Sequence, residues 1–333
     1  MAGGGDRRVT VIDTTAEIKP EKVFALGEAA LAAWDSVESG EAVADVRALQ
    51  ARKRKSVVFR FELVTGRSVV AKCGVVGAVM REVAAYEVCQ RIAEAAPRLV
   101  GTAHNPDDRR AWIFVEFLEG REPRSTDPLD LDAVAAWMAR VHARGMPFGP
   151  GSLPALDVWS VIGSIESAMS AWSENREERV HVRQDVQRAV GALDEAGGVA
   201  DRWHADVPKT LVHGSVRVKN LRVDPTSPVV ARAFDWGAAS WGWPARDVSK
   251  LARLGGRRTL DAYRSAARDL GFPLSEDATR GLVAAGELLR SAEHLARHLW
   301  SDATASTISV ASTVVVDTSR MVQEGARHAA DQL

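Results

Sequence analysis

The spacing of apolar residues changes near residue 120, and this change most narrows what the chain can fold into. From Asp45 to Gly74 it reads VRALQ, ARKRK, SVVFRFELV, TGR and SVVAKCG, with Val and Phe alternating against Arg60, Glu62 and Lys72. That two-residue period belongs to half-buried strands, and the turn at Gly66 makes Ser56 to Gly74 a hairpin. In AVMREVAAYEVCQRIAEAA the apolar Val79, Val83, Ala84, Tyr86, Val88 and Ile92 recur at helical spacing, with Pro97 closing the helix. RAWIFVEFLEG follows as a buried strand ending at Gly120, and a helical stretch from Glu21 to Val37 precedes the sheet. Beyond Gly120 the pattern is mostly helical: LDAVAAWMARVHARG, the long run from Asp157 to Gly197, ARDVSKLARL, TLDAYRSAARDLG, ATRGLVAAGELLRSAEHLARHLW and SRMVQEGARHAADQL. Two short strand candidates, LRVD and VVARAFDW, interrupt the helices, while STISVASTVVVDTSR fits strand or helix. The expected fold class is α+β, with a small antiparallel-sheet lobe over residues 1–120 and a mainly helical lobe over residues 121–333.

A chain of 333 residues suits two lobes of roughly 100–200 residues each. Its 43 Lys and Arg nearly balance 44 Asp and Glu, so no whole-chain field draws it to nucleic acid or an anionic membrane, and any charge selectivity must be local. Cys73 and Cys89 lack metal-type spacing and fit a reducing compartment as two small buried residues. His142, His294 and His298 form no metal pattern with carboxylates. The N-terminus has no apolar signal core, and no segment approaches the ~18 apolar residues that read as a span, so a cytoplasmic protein is expected.

Four polar residues matter by their order. Lys72 lies in the strand VVAKC, Glu82 on the helix that should pack against it, Asn220 after the turn of LVHGSVRVKN, and Asp235 after a strand in FDWG. Singly, each reads as a surface or turn residue. In sequence they match a phosphoryl-transfer site, where a strand lysine grips phosphates, a helix glutamate orients it, and an Asn and an Asp hold Mg²⁺.

With VVAKC, REVAAYEVC, PRLVG, IFVEFLEGR, WMARVHARG, LVHGSVRVKNLRVD and FDWGAASWGWPARDVSKL, the chain resembles the aminoglycoside phosphotransferase and choline kinase family over roughly residues 45 to 300. The resemblance implies a two-lobed protein-kinase-like fold that takes ATP and Mg²⁺, with Lys72 and Glu82 on the nucleotide and Asn220 and Asp235 on the metal. It also implies that backbone groups from Glu116 to Leu118 hold adenine between Phe114 and Phe117, that His213 braces the turn, and that Asp247 ties the turn to the next helix. Lys219, and Arg217 beside it, would add charge near the γ-phosphate. The loop over the phosphates is ARKRK, Ala51 to Lys55, without glycine. Its cations, with Arg54 and Lys55 the candidates for phosphate contact, read equally as a solvated hairpin tip.

Ser215 stands where the family has its catalytic aspartate. A serine accepts a hydrogen bond but cannot usefully hold the proton of an attacking hydroxyl, and a positioned base contributes ~10²–10⁴-fold to rate. Three readings stay open: a phosphotransferase acting on a small-molecule hydroxyl, one acting on Ser or Thr of a peptide or protein in a natural-product pathway, and a pseudokinase that binds nucleotide and regulates or scaffolds a partner. The acceptor cleft is expected from Asp261 onward and from Trp159 to Arg188, segments of mixed charge.

Overall fold

A computed structural model describes residues 8–11, 19–37, 41–51, 57–104, 109–155, 157–171, 180–203, 207–224, 230–301 and 303–330. The first part is a six-stranded sheet in the order β1 (Arg8–Val11), β2 (Val43–Ala51), β3 (Val57–Leu63), β4 (Ser68–Val75), β6 (Arg110–Glu116), β5 (Leu99–His104). All its pairs are antiparallel except β1–β2, which is parallel and departs from the expected purely antiparallel sheet. A parallel pair needs a crossover rather than a tight turn, and α1 (Pro20–Asp35) occupies that connection.

The alternation legible in β3 and β4 sorts the sheet into two faces. On the outer face Phe59, Phe61, Val69, Ala71 and Phe114 form a core with Val23, Leu31 and Trp34 of α1. Trp34 meets Phe114 edge-on at 5.2 Å and Phe61 at 6.1 Å, the offset geometry aromatic quadrupoles favour. Phe114 is therefore not a wall of a nucleotide pocket as expected. Phe117 lies three positions further on, and an odd offset along extended chain turns the two rings to opposite faces. Phe117 lies under the Arg60 guanidinium, 3.8 Å from its ring centre.

On the inner face, Ile113 and Val115 join α2 (Val76–Cys89) and the C-terminal helices in one continuous core. Two expected boundaries move. The helix before Pro97 stops at Cys89, with Glu94 in left-handed backbone after it, and Trp137 Nε1 donates to the Ala95 carbonyl at 2.7 Å. Strand β6 ends at Glu116, because the chain leaves the sheet there to pair Arg121 with Val223 through N–H···O bonds of 3.2 and 2.8 Å.

The remainder comprises α3 (Pro128–Gly145), α4 (Val158–Ser170), α5 (Val180–Trp203), the paired strands β7 (Thr210–Val212) and β10 (Ser240–Gly242), the hairpin β8 (Leu221–Asp224) and β9 (Val230–Ala233), then α6 (Ala245–Asp269), α7 (Glu276–Leu299) and α8 (Ala305–Ala330). Asp127 caps α3 by accepting from Leu129 N–H at 3.0 Å. The long run expected from Asp157 to Gly197 gives two helices, α4 and α5. The ambiguous STISVASTVVVDTSR is helical: Ile308, Ala311, Val315 and Val322 bury one face, and Thr313 and Thr318 bond back to the carbonyls four residues earlier. Burial of that face outweighs propensity differences of at most a few tenths of a kcal/mol per β-branched residue. Among the described residues no helix is long and apolar enough to cross a membrane.

Helices α6 and α7 cross at near contact. A Cβ on Gly286 would lie 2.1 Å from the Ala245 carbonyl oxygen and 2.6 Å from Ser249 Oγ. Gly286→Ala gains up to about 1 kcal/mol of helix propensity but forces the two backbones apart. The net expected effect is a loss of roughly 1–3 kcal/mol, read as a lower urea midpoint; an unchanged or raised midpoint would show that the crossing yields freely.

Candidate functional site

The hairpin β8–β9 and the turn after β7 bring the polar residues together. Lys72 on β4 reaches Glu82 Oε2 of α2 at 2.7 Å and Asp235 Oδ1 at 2.6 Å, the latter 163 residues away in sequence. Glu82 is buried and Asp235 half-exposed. Burial works against the Lys72 cation, but the charges of Glu82 and Asp235 outweigh it and raise its pKa. Asp235 is held below the usual carboxylate range: burial opposes this, and Lys72 overcomes it with smaller help from His213 and Lys219. Glu82 is pushed up by burial and by the Asp235 charge against the pull of Lys72. Asp235 has φ 65° and ψ 57°, left-handed backbone uncommon for a residue other than glycine.

Asn220 lies at the same end of the hairpin, its carbonyl accepting from Phe234 N–H at 3.0 Å. Its Nδ2 donates to the Ser215 carbonyl at 3.0 Å. That bond leaves Oδ1 as the amide atom turned away from Ser215. Lys219 is exposed on the preceding turn, as is Arg217.

The turn itself is fixed by Asp247, buried at the start of α6, which accepts from His213 N–H at 2.7 Å and Gly214 N–H at 2.9 Å. Burial would raise the Asp247 pKa, but the hydrogen bond from His142 and the neighbouring histidine and backbone donors hold it low. Gly214 has φ 75°, and a Cβ there would sit 2.3 Å from the Ala238 carbonyl oxygen, so both conformation and space require glycine. His213 packs on Trp236 at 4.5 Å. Its Nε2 lies 3.1 Å from the Phe234 carbonyl, which can only accept, so Nε2 carries the proton and Nδ1 accepts from Ser215 N–H at 3.2 Å. His213 and Asp247 thus have the geometry of braces.

The other expected contacts are mixed. Glu116 N–H donates to the Arg98 carbonyl and Phe117 N–H to the Ser68 carbonyl, both at 2.9 Å, while the Glu116 carboxylate pairs with Arg67 and Arg98. Leu118 follows, partly buried, where the chain leaves the sheet. Arg54 and Lys55 lie outside the described residues.

Beside Ser215 opens a cavity of about 680 Å³, lined by the turn, α4, the start of α6 and the second half of α7; it draws on both stretches expected to build the acceptor cleft, but also on α6 before Asp261, which sequence reasoning left out. Of the charged residues expected there, Glu174 and the four from Arg176 to Arg179 lie outside the described residues. Among the described lining residues Glu166 does not appear, while the cations Arg246, Lys250, Arg290 and Arg297 do. Their spacings, four residues on α6 and seven on α7, place each pair on one helical face, and that was the available signal.

Burial depresses the pKa of His213, and protonation would set an Nδ1–H against Ser215 N–H. Because the folded value lies below the unfolded one near 6.5, the associated stability is whole above about pH 6.5 and is lost as pH falls towards the folded value. The melting temperature should drop just below that pH with uptake of about one proton on unfolding, and His213→Gln should flatten the slope. An identical slope in the variant would assign the titration to another group.

The chain matches the profile of the phosphotransferase enzyme family over residues 40–282. No curated protein matches it in a sequence search. Among solved structures, one from Ralstonia eutropha JMP134, provisionally assigned as an aminoglycoside phosphotransferase, aligns with TM-score 0.61 and 17% identity over 90% of this chain and 98% of that one. The apoenzyme of macrolide 2'-phosphotransferase MphH from Brachybacterium faecium aligns with TM-score 0.58 and 14% identity, covering 89% and 98%. Spectinomycin phosphotransferase APH(9)-Ia, solved in complex with ADP and spectinomycin, gives TM-score 0.54 and 9% identity, covering 92% and 99%. At these identities the structural likeness is one of fold, and the family match spans well over half the chain. The protein therefore belongs to the phosphotransferase enzyme family and has its two-lobed, protein-kinase-like fold.

Proposed function

We propose that the protein transfers the γ-phosphoryl group of ATP, with Mg²⁺, to a hydroxyl of an acceptor seated beside Ser215. The observation that carries this reading is the meeting of Lys72 with Glu82 and Asp235 from three separate segments. Lys72 is a cation oriented by a buried carboxylate, the arrangement a phosphate grip requires. The solved relative with ADP bound makes nucleotide the natural ligand by analogy.

The donor set fits Mg²⁺. Among the described residues no cluster of three His, Cys, Asp or Glu side chains is placed to hold a metal, and Mg²⁺ with a nucleotide uses one or two protein oxygens plus phosphates and water. Asp235 is kept ionised, and Asn220 presents its amide at the same hairpin end. When bound, Mg²⁺ supplies positive charge to the phosphate oxygens as negative charge shifts towards ADP.

In the transfer, the bond from the γ-phosphorus to the bridging oxygen breaks with its electron pair going to ADP, the acceptor oxygen bonds the phosphorus, and the hydroxyl proton passes to solvent. Ser215 accepts a hydrogen bond from that hydroxyl and orients it. In a loose transition state the proton leaves late, so the missing carboxylate slows the step rather than forbidding it. The absence of a carboxylate at Ser215 also favours the second reading, a nucleotide-binding regulatory or scaffold partner without turnover. Nothing in the site argues for a peptide acceptor over a small molecule.

Calorimetry should show that Mg²⁺ tightens ATP binding, that Asp235→Ala abolishes this enhancement in a folded protein, and that Lys72→Ala weakens binding by about 1.5–3 kcal/mol, the scale of a lost charged hydrogen bond. No nucleotide binding at millimolar concentration would end the reading. Ser215→Asp should raise single-turnover phosphate transfer, by up to ~10²–10⁴-fold if a base is all that is lacking. Transfer by neither protein, with ATP bound by both, would establish the partner reading instead.

A further inference from the structure

The cavity beside Ser215 is far more basic than the chain as a whole. Among its described lining residues six are cations, Arg81, Arg217, Arg246, Lys250, Arg290 and Arg297, and one is a carboxylate, Glu293. Arg246 pairs with Glu293 at 2.9 Å, and its Nη1 also lies 3.3 Å from where a Cβ on Gly214 would sit, beside the turn that carries Ser215. Behind the wall Glu287 is shared by Arg290, at 3.0 Å, and Arg253. Among the described residues at and just behind this wall, two carboxylates thus stand with seven cations, in a chain whose positive and negative residues are nearly equal in total.

The grouping works against the fold. Lys250 is partly buried, and burial together with Arg253, Arg290 and Arg217 makes its charge harder to hold, lowering its pKa. Like charges drawn together at a partly desolvated wall repel, and an anionic ligand seated among them would relieve that repulsion. Ser215, in the same wall, contributes no negative charge.

We propose that this cavity binds an anionic acceptor, a small hydroxylated molecule bearing a carboxylate or phosphate group, and that it excludes polycationic amino sugars. The identification as an acceptor rests on the phosphotransferase reading; the anion site does not. Acceptor alcohol and ATP would give the phosphate ester, ADP and one proton, the anionic group remaining on the acceptor throughout. The nucleotide's own phosphates are the competing source of negative charge, and the test separates them.

The full chain, saturated with ADP and Mg²⁺, is titrated with inorganic phosphate, glycerol 3-phosphate and gluconate, and in parallel with glycerol, glucose and glucosamine. The anions should bind at least about tenfold more tightly than their neutral counterparts, less tightly as salt is added, and glucosamine should not bind. Lys250→Glu combined with Arg290→Glu should abolish the preference while ADP affinity stays unchanged. Lys250→Met combined with Arg290→Met, which keeps the stems and removes the charges, should weaken anion binding in a protein whose melting temperature is unchanged or raised. Equal binding of neutral probes, no binding of any anion at millimolar concentration, or tighter binding of glucosamine overturns the proposal. So does a loss of ADP affinity in either double variant, which would give the cations to the nucleotide. If wild type takes the anions but not ADP, the anion site stands and the phosphotransferase reading falls.

Discussion

Taking the Asp247 carboxylate out of water is costly, and the centre of the molecule is arranged to offset that cost. Both its oxygens accept backbone N–H groups, from His213 and Gly214, and His142 of α3 approaches from a third side while its other nitrogen meets Tyr263. Hydrogen bonds to a charged acceptor contribute roughly 1.5–3 kcal/mol each, and removing the acceptor would strand buried donors. One side chain at the start of α6 thereby fixes the turn after β7, and with it Ser215, Asn220 and the hairpin that carries Asp235.

Lys72 makes the second junction. The sheet reaches the helical part through apolar contact on its inner face and through the lysine's two carboxylate partners. Because the inner face shares one core with the C-terminal helices, the sheet lobe proposed for residues 1–120 has a separate core only beneath α1. The turn with Ser215 then lies between two electrostatic neighbourhoods. On one side Glu82 and Asp235 concentrate negative charge around a single lysine; on the other, arginines and Lys250 crowd a cavity.

What could be read from the chain was local. Period-two alternation gave the hairpin of β3 and β4, helical spacing gave α2 and α3, and the order of Lys72, Glu82, Asn220 and Asp235 identified side chains that the fold brings within hydrogen-bonding reach or onto one hairpin end. Misreadings arose where a tertiary contact outweighed the local pattern. Helix α2 stops before Pro97 because its continuation serves Trp137 instead, and Phe114 turns outward to Trp34. Where the sequence left strand and helix open, burial of one face makes α8 helical.

The sequence by itself determined the fold class, the family likeness and the serine at position 215, because each depends on residue type and spacing along one segment. Tertiary structure decided that Lys72 faces Asp235 directly, that Asp247 holds the turn, and that cations from α2, the turn, α6 and α7 share one cavity. Those facts depend on distances between segments that are far apart in the chain. A sequence with nearly equal numbers of positive and negative residues does not reveal where folding will set its charges against one another.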